Sequence, residues 1–216
     1  VLTSYIVATA IFMSLSGWLA GRFGRRQVIL WSVVGFTVMS ALCGLATDLD
    51  AIVVFRFLQG AFGATLPPIS QSIMLDINPP ERRAHAMSIW SLGSIAAPIL
   101  GPALGGWLTD NVNWRWVFFI NLPFGVLSFA GLFFFLSETR KAERARLDFF
   151  GFAMIAIAVS SFQLLLDRGQ IKDWFGSSEI WIEATIALLF GYLFFVHTCT
   201  AQQPFLAPAL CRDSNF

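Results

Sequence analysis

Seven stretches of this chain run for about 20 residues with at most one charged side chain each, and no other feature constrains its fold so tightly. They cover residues 1–20, 27–47, 51–75, 86–109, 116–137, 149–166 and 180–201, and the only charges inside them are Arg56 and Glu183. A helix needs about 20 apolar residues to cross a bilayer. Lipid satisfies no backbone polar group, so only helices and closed barrels can span it. Barrel strands are about half this length and alternate apolar with polar positions; these runs do neither. The expected fold class is therefore an all-α polytopic membrane protein with seven transmembrane helices. The segments between the runs are loops, too short for a folded domain outside the membrane.

Composition closes the alternatives. Apolar residues make up 56% of the 216 and charged residues 12%, against roughly 25% charged in soluble proteins. A soluble chain of this size could not hide that much apolar surface. A soluble enzyme, a nucleic-acid binder and a disordered chain are excluded; a net charge of +1 gives no basic field to hold a polyanion. Cys43, Cys199 and Cys211 are too few and too scattered for a disulfide framework or a metal cluster and read as small packing residues. The chain opens at Val1 inside an apolar run, with no charged leader or cleavage site before it. It reads as part of something longer.

The loops set the orientation. Arg22, Arg25, Arg26, Arg82, Arg83, Arg140, Lys141, Arg144, Arg146 and Arg212 fall on one side, ten of the 14 basic residues, against Arg115, Arg168 and Lys172 on the other. The positive-inside rule makes the ten-residue side cytoplasmic. The first span then runs from outside to inside, and the tail after residue 201 is cytoplasmic.

Four segments carry possible chemistry. Residues 17–26 form a basic inter-helix loop: Gly17 and Gly21 share a helix face that could admit a close neighbour, Gly24 allows a tight reversal, and Arg22, Arg25 and Arg26 anchor the loop at the inner leaflet. Arg56 is the only cation inside a span and shares a face with Gln59, Gly60 and Gly63. Two readings stand there: a functional residue in the protein interior, or a long side chain snorkelling to the nearby boundary. Gly93, Ala97, Gly101 and Gly105, with Gly106 beside them, make a ridge of small side chains, and Pro98 and Pro102 form a second row. Such a ridge brings two backbones together and its prolines bend the helix; it is either a packing interface or a conformational device. Trp114, Arg115 and Trp116 form an interfacial anchor, and Asn121 and Pro123 could supply an inter-helix hydrogen bond and a kink. Glu183 reads as exposed at the interface rather than as a proton site. His85 and His197 have no ligand-spaced partner, so no metal is assigned. With no nucleophile elbow, phosphate loop or intramembrane carboxylate pair, an enzyme is not expected.

The motifs in their order resemble the major facilitator superfamily. Residues 17–26 are similar to its loop between helices two and three, residues 56–60 to its fourth-helix motif, and residues 93–106 to the fifth-helix motif of its drug/proton antiporters. Residues 114–125, 166–175 and 210–216 resemble stretches of the fourteen-helix EmrB/QacA-type drug:proton antiporters. Where that family's loop motif usually has Asp, this chain has Gly21, so the latch formed by that Asp is not implied here. The resemblance implies helices two to eight of that fold. Residues 1–137 would be most of the N-terminal six-helix bundle, with its first helix missing. Residues 138–148 would form a cytoplasmic loop, residues 149–201 two extra linker helices, and residues 202–216 a cytoplasmic segment leading to the C-terminal bundle. It implies a multidrug:proton antiporter of the inner or plasma membrane that exports lipophilic or cationic compounds, driven by the proton gradient with no cofactor, with Arg56 and Gln59 as proton-coupling candidates. Depending on the cell envelope, a periplasmic adaptor and outer-membrane channel are further partners. An exporter of a specific metabolite is the alternative on the same fold, and a non-transport membrane protein the alternative from another class.

Overall fold

The computed structural model describes residues 1–137 and 147–201. The expected loop at residues 138–148, apart from its last two residues, and the segment at 202–216 lie outside them, and Arg140, Lys141, Arg144, Arg146, Cys211 and Arg212 with them. The described residues form α1 (Leu2–Phe23), α2 (Arg25–Leu45), α3 (Leu49–Gly63), α4 (Leu66–Ile77), α5 (Pro80–Asn111), α6 (Trp116–Phe119), α7 (Asn121–Phe135), α8 (Phe149–Gly169) and α9 (Ser178–Thr200), with a 3-10 turn at Trp174–Gly176 before α9. Seven helical stretches among them are long and apolar enough to cross a membrane.

Two of the seven are composite, for a local reason in each case. The third apolar run divides into α3 and α4 around Ala64 and Thr65, because Pro67 and Pro68 occupy the first turn of α4, where a missing N–H costs least. Thr65 is buried at this break and tied to Ser32 of α2 by a 2.5 Å hydroxyl contact. The fifth run divides into α6 and α7 at Ile120, one residue past the carbonyl that Pro123 cannot engage. By contrast α5 continues through Pro98 and Pro102 without interruption. Gly24 alone separates α1 from α2; its φ of 89° lies where only glycine is comfortable, and the expected reversal is there.

The helices pack as a sequence of neighbours. α3 lies against α1 and α2, α2 also against α6 and α7, and α8 against α1 and α9. At the end of the bundle where α1 meets α2, Val28, Ile29, Ile69 and Ile73 form a buried cluster closed by Leu19, Phe23, Leu132 and Leu136. Arg25 pairs with Asp76 there. Arg26 donates from Nε to the Leu136 carbonyl at 2.6 Å and from Nη2 to Phe133 at 2.9 Å, closing the free carbonyls of α7. Asn121 donates to Ser40, which in turn donates to the Phe118 carbonyl, both at 2.9 Å; this is the inter-helix bond expected of Asn121.

Two small-residue faces stand open among the described residues, and one expectation, at Glu183, is corrected. Among the described residues the small-residue ridge of α5 has no neighbour: no atom lies within 4 Å of where a Cβ on Gly93, Gly101, Gly105 or Gly106 would stand, and Ala97, Pro98 and Pro102 are exposed. Among the described residues α5 touches only α4 and α6, so no helix lies along that face. Gly17 is exposed with the same empty surroundings, because α1 packs through the side carrying Ala8 and Ser16. Glu183 is not exposed at an interface: its side chain is 13% accessible, and Oε1 lies 3.6 Å from Arg168 of α8. His197 pairs with Asp148, 2.8 Å away at the start of α8.

Candidate functional site

Arg56 lies two turns into α3, where a flexible side chain could reach the helix end. It stays inside instead. The guanidinium carbon stands 4.7 Å from the centroid of the Tyr5 ring of α1 and 5.5 Å from that of Phe118 of α6. Nη1 donates to Gln59 Oε1 at 3.1 Å, one turn along the same helix. Nε is buried with no acceptor among the described residues. The cation is thus balanced by two aromatic faces and one amide, with no carboxylate paired to it among the described residues.

The cluster follows from the small face of α3. Gln59 is 1% exposed and Gly60 and Gly63 are buried, so the face that spacing predicts is the one turned inward. A Cβ on Gly60 would collide with the Tyr5 carbonyl oxygen and lie 3.1 Å from Ala8 Cβ; only glycine lets α1 come this close. Thr9 donates to the Tyr5 carbonyl at 2.8 Å and reaches the Gly60 carbonyl at 3.4 Å. On the α2 side, fully buried Cys43 directs its thiol toward Gln59 Oε1 at 3.9 Å. Tyr5, Phe118 and Cys43 are members that sequence reasoning missed. Tyr5 falls at helix offsets of three, four and seven from Ala8, Thr9 and Phe12, a weak signal in a chain so rich in aromatic residues.

The other motifs lie elsewhere. Arg22 rests over Trp18 and Phe23 at 5.4 and 5.8 Å, while Gly21 is half-buried. Arg115 stacks on Trp114 at 4.9 Å, as an anchor should, and does more: Nε and Nη2 donate to the Gly44 and Ala46 carbonyls at 2.9 and 3.0 Å, closing the end of α2. Trp116 packs edge-on against Phe119, whose ring occupies the space beside Gly44. Arg115→Ala removes two charge-assisted bonds to carbonyls with no other cap among the described residues, so a stability loss of about 1.5–3 kcal/mol is expected. Arg115→Lys should recover less than half of it, having no fork to reach both carbonyls. Thermal unfolding in detergent reads both.

A bundle of seven apolar helical spans, with an arginine held inside one of them by two aromatic rings and an amide, is a polytopic membrane protein. The model of the Major Facilitator Superfamily matches residues 1–210, and the chain belongs to that family. It is 40% identical over 220 residues to the multidrug export protein EmrB of Escherichia coli (strain K12), covering 100% of this chain and 42% of that protein. The same protein name in Haemophilus influenzae gives 40% over 218 residues, with the same coverage. The fatty acid resistance protein FarB of Neisseria gonorrhoeae is 37% identical over 217 residues, 100% of this chain and 43% of that protein. The chain therefore spans less than half the length of these relatives.

Proposed function

We propose that this chain is part of a proton-coupled exporter of lipophilic and cationic drugs. The observation that carries the reading is Arg56, held at membrane depth by Tyr5, Phe118 and Gln59. A fixed positive charge in low dielectric favours the ionised form of an acid brought near it, and so links proton occupancy to whatever else that acid binds. The relatives named for multidrug export and fatty acid resistance support small lipophilic molecules as cargo. In this reading residues 1–137 belong to an N-terminal bundle and residues 149–201 are two linker helices. The end bearing Arg25 and Arg26 faces the cytoplasm from the inner or plasma membrane, supported by the positive-inside count. The gradient supplies the drive and no cofactor is needed. In an envelope with two membranes, a periplasmic adaptor and outer channel would complete the path. The open ridge of α5, Gly93 through Gly106, would meet a helix from beyond the described residues and slide or bend against it during alternating access.

The test is transport by the full-length protein in proteoliposomes. Tetraphenylphosphonium should accumulate only under an imposed pH gradient and cease when a protonophore collapses it. Accumulation that ignores the gradient, or competition by one polar metabolite alone, would replace this reading with the metabolite exporter.

A further inference from the structure

Tyr5 belongs to two places at once. Its ring holds the Arg56 guanidinium, and its phenol oxygen reaches the position a Gly63 Cβ would contact at 3.4 Å, so the side chain lies along the small face of α3. The same residue lines a cleft of ≈ 480 Å³ between α1 and α8, to which α1 also gives Thr9, Met13 and Ser14, and α8 gives Val159 and Gln163. That volume is in the range of small-molecule sites.

The lining specifies the ligand. Among the described residues no charged side chain lines it, so a cation would find no carboxylate there and would face the repulsion of Arg56 behind the ring. The Tyr5 ring and the Met13 thioether suit a flat aromatic surface. Thr9 is already engaged by carbonyls. Ser14 and Gln163 have no hydrogen-bond partner among the described residues, leaving an amide and a hydroxyl for a polar group on the ligand. We propose that the α1–α8 cleft binds an uncharged, flat aromatic lipophile with one hydrogen-bonding group, and that Tyr5 carries its occupancy to Arg56. A molecule seated against Tyr5 moves the ring that restrains the guanidinium; Phe118 and Gln59 remain to receive it in a shifted position. The proposal rests on the proton-coupling reading of Arg56, and it makes Tyr5 a positioning residue.

The experiment uses the full-length protein in nanodiscs with N-phenyl-1-naphthylamine, an uncharged fluorescent amine, and tetraphenylphosphonium as the charged comparison. Saturable binding of the amine, uncompeted by the cation, is expected. Ala10→Phe fills the cleft from α1, and Gln163→Leu removes its amide from α8; each should weaken binding by about tenfold or more, the usual consequence of blocking or unpairing a polar site. Tyr5→Leu takes one ring from the cleft as well as the support from Arg56, so at an amine concentration that saturates the variant proton-driven efflux should still fall by about tenfold, and Tyr5→Phe should restore both binding and efflux, because the ring and not the hydroxyl holds the cation. Binding that never saturates, or that both cleft variants leave unchanged, overturns the proposal, since the amine is then only dissolved in lipid or bound elsewhere. Arg56→Ala separates the two levels. If it abolishes proton-driven transport while the cleft variants bind normally, the cleft alone is wrong; if transport survives Arg56→Ala, the reading beneath it is wrong.

Discussion

Arg56→Ala is expected to lower proton-driven efflux by about 100-fold or more while leaving the full-length protein in the membrane at close to its usual amount. The magnitude comes from the charge: at an effective dielectric of about 20, a unit charge about 6 Å from an acid changes its ionisation by close to 3 kcal/mol. Insertion should survive because the cation is itself a burden at this depth. Alanine removes the burden together with its compensation, the Tyr5 and Phe118 faces. Gln59 is not left bare, since the Cys43 thiol still points at its Oε1. Arg56→Lys keeps the charge but loses the planar group that two rings can hold. An intermediate loss of about tenfold is therefore expected from it, as is typical of a misplaced cation. Initial rates under an imposed pH gradient, normalised to protein in the vesicles, give both numbers. Efflux at the wild-type rate in Arg56→Ala would remove Arg56 from the mechanism altogether.

The spans were legible because a bilayer leaves a compositional trace: wherever the chain crosses, charge disappears for about 20 residues. Their ends were less so. α5 begins at Pro80, well before the apolar run, since a first helical turn tolerates proline and charge outside the lipid. The division between α3 and α4 leaves no gap in the apolar run, and Pro67 with Pro68 was the signal to read. Periodicity also told which residues share a face, as with Arg56, Gln59, Gly60 and Gly63, but not what lies upon it. Tyr5 and Phe118 come from helices far along the chain, and nothing distinguishes them from the other aromatic residues in lipid-adjacent spans. Glu183 was misread for a related reason. Its partner Arg168 stands across a turn in which Asp173 and Trp174 both take positive φ, and that turn brings α9 back along α8.

Gly60 and Gly101 look alike in the sequence, each on a row of small residues, yet substituting them should have opposite consequences. Gly60→Leu is expected to destabilise the protein by about 3 kcal/mol or more, at the upper end of overpacking costs. The added atoms meet the Tyr5 backbone carbonyl and Ala8, neither of which can rotate away. α1 and α3 must separate, the Thr9 contact to the Gly60 carbonyl is lost, and Tyr5 is drawn off Arg56. Folding and efflux should fall together. Gly101→Leu meets open space among the described residues, and leucine is favoured over glycine in a helix interior by about 0.5–1 kcal/mol, so the unfolding midpoint of this bundle should hold or rise. Efflux should nevertheless be lost if the ridge works against a helix from beyond the described residues. The two measurements, unfolding in detergent and gradient-driven transport, therefore divide a packing glycine from a moving one. Gly101→Leu with transport intact would make the ridge a lipid-facing surface; Gly60→Leu with an unchanged midpoint would mean that α1 and α3 are not in contact where Arg56 is held.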